Sequence, residues 1–301
     1  MNRRQSTWML HFIVLIFGFT GILGKLITLD AERLVFWRVF LGGGLVWLWL
    51  LTRRKIQRFS PSVLIKVAAV GCVAAAHWIA FFASIKVSNV SVALATLATT
   101  PVFVSVLEPV IHRRRLDVRE VLLGLVIIVG LLVLLWDSST GTETLDSSSY
   151  YKGIGLALIS AGLAAIFATV NSVFIRSHDS GNLTRVELLS AALALAVLFF
   201  IQGKGFDLNH WVVPHQDWIW LGLLASIATS FAFLMSIEVM KNLSPFTTSL
   251  AINMEPIYAI VLAALIFGEE ERMSGGFYLG AAIIVGAVFI DGIIKNPKPT
   301  S

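Results

Sequence analysis

Charge is scarce in this chain, and cysteine is nearly absent. Charged residues make up 14% of its 301 positions, against roughly 25% in soluble domains, too few to clothe a water-soluble fold of this size. A single cysteine, Cys72, excludes an internal disulfide, and its setting in "AVGCVAAAHW" suits packing. The six histidines are scattered. Only His210 and His215 lie close together, near Asp207 and Asp217, and with Trp211 and Trp218 they read as an interfacial loop rather than a metal site. No phosphate-cradling glycine loop occurs, so an ATP-driven pump would need a separate partner chain. No ring of repeated filter residues marks a channel. No cofactor is indicated. The net charge is +5, but the basic residues sit in short loops without interleaved aromatics, a pattern of membrane topology and not of nucleic-acid binding.

Apolar sequence is what the chain has in quantity, at 57% hydrophobic residues. A helix needs about 20 residues to cross a bilayer, and ten runs of that order follow one another: 8–27, 33–52, 62–85, 90–111, 118–136, 151–175, 185–201, 217–240, 245–267 and 275–294. The first follows a basic MNRR start, as a signal peptide would. Its length, the lack of a small-x-small cleavage site and the nine runs behind it mark it as a retained helix. The longest polar connections are 137–149 and 202–217, and neither holds a soluble domain.

The ten runs read as two copies of one unit. When "SIKVSNVSVALATLATTPVF" from Ser84 is set beside "VMKNLSPFTTSLAINMEPIY" from Val239, Lys86 falls on Lys241 and Pro101 on Pro256, both at an offset of 155. With one inserted residue, Gly124 then meets Gly280 and Gly130 meets Gly286. Five helices per copy is an odd number, so the second copy enters the membrane from the opposite side. The loop "HRRRLDVRE" after the fourth run is basic, whereas its counterpart "GEEER" after the ninth is acidic. With the N-terminus inside, fifteen loop and tail Lys and Arg fall on the cytoplasmic side. Only Arg33, Lys86, Lys152, Lys204 and Arg272 fall outside. Positive-inside reasoning therefore places both termini in the cytoplasm. Inverted repeats give a fold two states of similar energy, in which one half rocks against the other around a central site.

The segments "FIVLIFGFTGILGKL", "FWRVFLGG", "SVALATLATTPVF" and "SPFTTSLAINMEPIYAIVLAALIFGE" resemble the drug/metabolite transporter superfamily, specifically its EamA-like members. The resemblance covers essentially the whole chain. It implies an all-α integral membrane fold of ten transmembrane helices in two inverted five-helix repeats, residues 1–136 and 151–294. An external connecting loop, 137–150, would join them, with a cytoplasmic tail at 295–301. It also implies a secondary active transporter of the bacterial-type inner (plasma) membrane, often an exporter of amino acids or other small metabolites. The substrate, the coupling ion (protons among the candidates) and the choice of monomer or homodimer stay open. An integral-membrane enzyme acting on a lipid or small amphipathic substrate is the rival class. Catalysis would need a convergent set of side chains, which the sequence does not display.

Several polar residues stand where lipid tolerates them poorly. Glu255 lies about ten residues into its run, roughly 15 Å deep, where a lipid-facing carboxylate costs at least ~2.5 kcal/mol. It must face the bundle interior, either to bind a substrate amine or coupling proton or to hold a backbone group released by Pro256. Pro101 and Pro256 occupy equivalent mid-run places and are expected to kink their helices or act as hinges. Thr99 and Thr100 precede Pro101, with hydroxyls able to satisfy backbone or touch substrate. Arg38 either snorkels from "FWR" to the interface or turns inward to clamp a carboxylate. His77, in "AAAHWIAFFASIK", is a packing residue or a proton relay, and Trp78 beside it is a candidate for the cavity wall. Lys25 leans towards snorkelling. Glu187 lies near the register of Arg38 in the second copy, and the inversion sets the two near opposite faces.

Overall fold

The computed structural model describes residues 1–113, 115, 117–137, 147–252, 254–271 and 273–294. Helices account for almost all of them, and no strand occurs among the described residues. In chain order these are α1 (Arg3–Leu26), α2 (Ala31–Thr52), α3 (Pro61–Val87), α4 (Val90–Leu97), α5 (Thr100–His112), α6 (Val118–Asp137) and α7 (Ser147–Phe174). Then come α8 (Ser180–Ile201), α9 (Asp217–Leu223), a π-helical stretch (Leu224–Phe231), α10 (Ala232–Val239), α11 (Pro245–Ile252), α12 (Glu255–Phe267) and α13 (Gly275–Ile294). Local chemistry sets the starts. Asp30, Asn89 and Asp179 each accept the backbone N–H three residues on, at the heads of α2, α4 and α8. Pro61 opens α3, where its missing N–H costs nothing.

Among the described residues, seven segments are long and apolar enough to cross a membrane. They are Arg3–Leu26, Ala31–Thr52, Pro61–Val87, Val90–His112 taken across its break, Ser147–Phe174, Ser180–Ile201 and Asp217–Val239. The outer surface of the bundle is itself apolar: Trp8, Phe12, Trp47, Leu48, Ile65, Val110 and Leu265 are all exposed. That is the reverse of a soluble protein, which rarely exposes large contiguous apolar patches.

Three features differ from the sequence expectation. Runs 90–111 and 245–267 are not single kinked helices. Each is broken into a piece of 8 residues and a piece of 13. Pro101 and Pro256 sit in the first turn of the second piece, the one helical place where proline removes no hydrogen bond. Run 217–240 carries the π stretch in its middle. In addition, α7 opens at Ser147, inside the expected 137–150 connection. Residues 138–146 of that connection, the tail 295–301 and Arg272 lie outside the described residues.

The two broken pairs match residue for residue. Val90 and Pro245, Thr100 and Glu255, and His112 and Phe267 are each 155 apart. Arg113 and Gly268, both at positive φ (51° and 57°), close α5 and α12, their amides donating to Pro109 O and Ala264 O. The packing is also unchanged when the halves are exchanged: α2 packs on α8, α6 on α13, α4 on α12 and α5 on α11, while α3 against α7 mirrors α1 against α10.

Polar contacts gather at the two ends of the bundle. At one end Glu271, fully buried, caps the head of α4. It accepts Val90 N (3.1 Å), Ser91 N (3.0 Å) and Ser91 Oγ (2.8 Å), and pairs with Lys25 Nζ at 3.0 Å. Lys25 thus does not snorkel; it also meets Glu270 and the Phe267 ring. Nearby, Asp217 accepts Thr28 N (3.0 Å) and Thr28 Oγ1 (2.8 Å), and Lys86 donates to Ile27 O. At the other end Asn182 bridges Lys55 O and Gln57 N, Ser180 Oγ donates to Glu238, and Asn242 donates to Ser6. Breaking a buried pair leaves its partners uncompensated. Glu271→Ala is therefore expected to destabilise the purified protein by about 3 kcal/mol, read as a lower melting temperature in detergent. An unchanged melting temperature would show that the Glu271 contacts carry no weight.

Candidate functional site

A cavity of about 990 Å³, counting its open mouth, lies among α1, α2, α3, α4, α5, α7, α10, α11 and α12. Its wall is chiefly aromatic and aliphatic. Trp78 meets Phe233 edge to face (centroids 5.0 Å apart), Phe233 stacks on Phe167 (5.1 Å), and Phe17 and Phe81 complete the apolar part. Polar groups are few: Thr20, Arg38, His77, Thr100, Ser236, Thr248 and Glu255. An apolar cleft with a small number of placed polar groups is the usual form of a small-molecule site.

Arg38 turns inward. It is 2% exposed, and its Nε donates to Thr229 Oγ1 at 2.7 Å. Its guanidinium lies 4.2 Å over the Trp78 ring and 5.6 Å from that of Phe82, a cation–π arrangement strengthened by desolvation. The interfacial-anchor reading of "FWR" is thereby corrected for Arg38. Gly42 makes the approach possible, since a Cβ there would stand 2.8 Å from Thr229 Cγ2. Thr229 belongs to the π stretch, and its hydroxyl donates to Leu224 O at 2.8 Å, five residues back. π turns often occur at functional sites. Here the turn presents the threonine oxygen that fixes the arginine.

Glu255 is the first residue of α12 and is buried. The N-terminus of a helix favours a negative charge, so the break gives the carboxylate an electrostatic reason to be there. Arg38 and Glu255 face the same cavity and feel each other electrostatically without forming a direct ion pair. Pro256, the next residue, also lines the wall.

The remaining candidates divide. Trp78 supports the arginine. His77 lines the cavity, with its Nδ1 held 2.8 Å from Ser160 Oγ and 3.0 Å from Ser160 O on α7. Thr100 lines it too, its hydroxyl donating to Leu97 O at 2.6 Å, which steadies the break. Thr99 and Pro101 are buried away from the cavity wall. The Thr99 hydroxyl donates to Thr96 O at 2.8 Å, so it satisfies backbone instead of facing a ligand. Thr229, Phe167 and Phe233 were not legible as site residues, because nothing in an apolar run tells which face turns inward.

The family model for the EamA-like transporter family matches residues 6–136 and 151–291. The chain belongs to the EamA-like transporter family and is a multi-pass membrane transporter. Among curated relatives it is 24% identical over 277 residues to "Uncharacterized transporter YxxF" of Bacillus subtilis (strain 168), covering 89% of this chain and 84% of that one. It is 19% identical over 219 residues to "Uncharacterized transporter YyaM" of the same organism, covering 72% and 70%. A solved structure described as "Crystal structure of protein" superposes with a TM-score of 0.71 at 17% identity, over 99% of this chain and 100% of that one, and so shares the fold.

Arg38→Lys keeps the charge but loses both the Nε–Thr229 bond and the planar stack on Trp78. It is expected to cost about 2 kcal/mol of stability, measured by thermal unfolding of the purified protein. A variant as stable as the native chain would mean the guanidinium geometry is not what holds residue 38 in place.

Proposed function

We propose that this protein is a secondary active exporter of small metabolites, that its cavity binds amino-acid-like zwitterions, and that it works by alternating access. The observation that carries the reading is the pair Arg38 and Glu255. A guanidinium and a carboxyl group face one apolar cavity without touching, which matches a solute bearing a carboxylate and an amine next to an apolar group. Arg38 offers the planar fork suited to a carboxylate, Glu255 a counter-charge for the amine, and Trp78, Phe167 and Phe233 a surface for the apolar part.

In this reading the chain makes ten passes in two inverted repeats, with both termini cytoplasmic and the protein in a bacterial-type inner membrane. The equal broken pairs, the matching positive-φ caps and the exchange-invariant packing support the inversion. The charge pattern supports the orientation: Arg53, Lys55, Arg58, Arg176 and Arg185 lie at the Asn182 end, whereas Glu269, Glu270, Glu271 and Asp217 lie at the other. The Glu271, Asp217 and Lys86 contacts would close the external face, and the cavity wall runs on to Met240 and Thr248 towards the cytoplasmic one. The half-helix starts at Thr100 and Glu255 would then be the two pseudo-symmetric edges of the site.

Comparing metabolites in cells lacking and overproducing the protein, then assaying the leading candidate in proteoliposomes, tests the reading. Saturable, gradient-driven flux is expected, with analogues lacking either the carboxylate or the amine competing at least about tenfold less well. Ohmic current would make the protein a channel, and solute turnover without flux an enzyme. Glu255→Gln is expected to weaken apparent affinity about tenfold, the order lost with one charge-assisted contact. Unchanged rate, affinity and pH dependence would remove Glu255 from the site. Tag accessibility that placed 113–115 and 269–271 on one face would end the inverted topology.

A further inference from the structure

A second buried carboxyl lies outside the cavity. Glu187, in the second turn of α8, is fully buried, and neither of its oxygens completes a well-formed hydrogen bond. Asn171 of α7 is the polar side chain that acts on it as a hydrogen-bond partner, in a contact that falls short of full hydrogen-bond geometry, and this amide is fully buried too. Thr184, one helical turn before Glu187 on the same face of α8, is buried with its hydroxyl unpartnered. Three buried polar side chains that share at most one imperfect contact are not how a structural polar cluster is built, since satisfied bonds are what make such clusters stable.

No charged side chain pairs with Glu187 among the described residues. On its own helix Arg185 donates to Gln57 O. Of the helices packed on α8, α2 has Arg38 bonded to Thr229, and α3 has Lys66 exposed and His77 bonded to Ser160. On α10, Glu238 accepts Ser180 Oγ and pairs with Lys241. An unpaired carboxylate anion is far costlier to bury than the neutral acid. In this conformation Glu187 therefore carries its proton.

Its place in the bundle matters as much as its burial. Glu187 stands where α8 meets α2 and α3, between the first and second halves of the chain. Contact there is close enough that a Cβ on Gly71 of α3 would lie 2.2 Å from Glu187 O. A rearrangement that separated α8 from α2 and α3 would open this seam and admit water to the carboxyl.

We propose that Glu187 is a proton-binding site, separate from the solute cavity, that holds a proton in this state and releases it to water when the halves separate. Binding converts the carboxylate and an aqueous proton into the neutral acid, and release reverses it, so each cycle carries a proton along with the rearrangement. The proposal rests on the transporter reading above, but its test uses no transported solute.

The test uses the full chain in lipid nanodiscs and in proteoliposomes, probed with protons alone. In infrared spectra the native protein should show the carbonyl stretch of a buried protonated carboxyl, and Glu187→Gln should lack that component. A pH jump on proteoliposomes should give a transient charge displacement that Glu187→Gln abolishes. Glu187→Asp, which keeps an acid at the site, should restore both signals with a shifted carbonyl band and a shifted titration midpoint, and it answers the question if the glutamine variant does not fold. An acid band and a displacement that are identical in the native protein and either variant would overturn the proposal. A protein that moves no solute but passes these measurements would sink the transporter reading and leave the proton site standing.

Discussion

Every backbone N–H and C=O inside this bundle has to be satisfied by the chain itself, because the surrounding hydrocarbon offers nothing. Irregular backbone at depth therefore survives only where protein or a cavity surrounds it. The breaks after Leu97 and after Ile252 are of this kind. At the first, the hydroxyls of Thr99 and Thr100 turn back onto Thr96 O and Leu97 O, and Thr99 N donates to Thr96 O. At the second, Met254 N closes on Ala251 O. The π stretch obeys the same rule: Thr229 and Ser230 return their hydroxyls to the carbonyls five residues back. Departures from regular helix thus collect around one cavity, and the cavity lets the chain keep them.

The breaks also set where charge is placed. A helix that starts in the interior carries a partial positive charge at its head. The head of α12 has an acid in its first position, Glu255, whereas the head of α5, at the equivalent place, has Thr100. The two halves share a backbone but not a charge. Arg38, reaching in from α2, then faces a wall with one acidic helix head and one neutral helix head. In the reading proposed above, an apolar cavity so arranged distinguishes the two ends of a dipolar guest.

Much of this could be read in the sequence, and the failures have identifiable causes. Glu255 was legible because a carboxylate in an apolar run is costly wherever it faces lipid. Pro101 and Pro256 were legible as a symmetric pair, but proline suits both a kink and the first turn of a new helix, so kink and break could not be told apart. Arg38 was ambiguous because position along a helix gives depth and not azimuth. Its inward turn depends on Gly42 admitting Thr229, a contact 191 residues away from Arg38 in the chain. Lys25 failed the same way, since its partners Glu270 and Glu271 arrive from a distant loop. Thr229, Phe167 and Phe233 carried no signal at all. The burial of Glu187 and its want of a well-formed hydrogen bond are properties of packing between halves, which no single run displays.

Two of the completely buried acids are treated in opposite ways. Glu271 has backbone, hydroxyl and lysine donors around both its oxygens; Glu187 has only the imperfect contact with Asn171. Burial alone therefore does not say whether an acid stabilises the state seen here. Its partners do. A molecule with two states must lose some contacts when it leaves one of them, and the loss has to be offset in the other. In the transport cycle we propose, the Glu271 end is where the present state has the most to lose. The seam at Glu187, Asn171 and Thr184 is where polar groups have bonds still to gain. The same structure thus holds one acid with every partner and another nearly without.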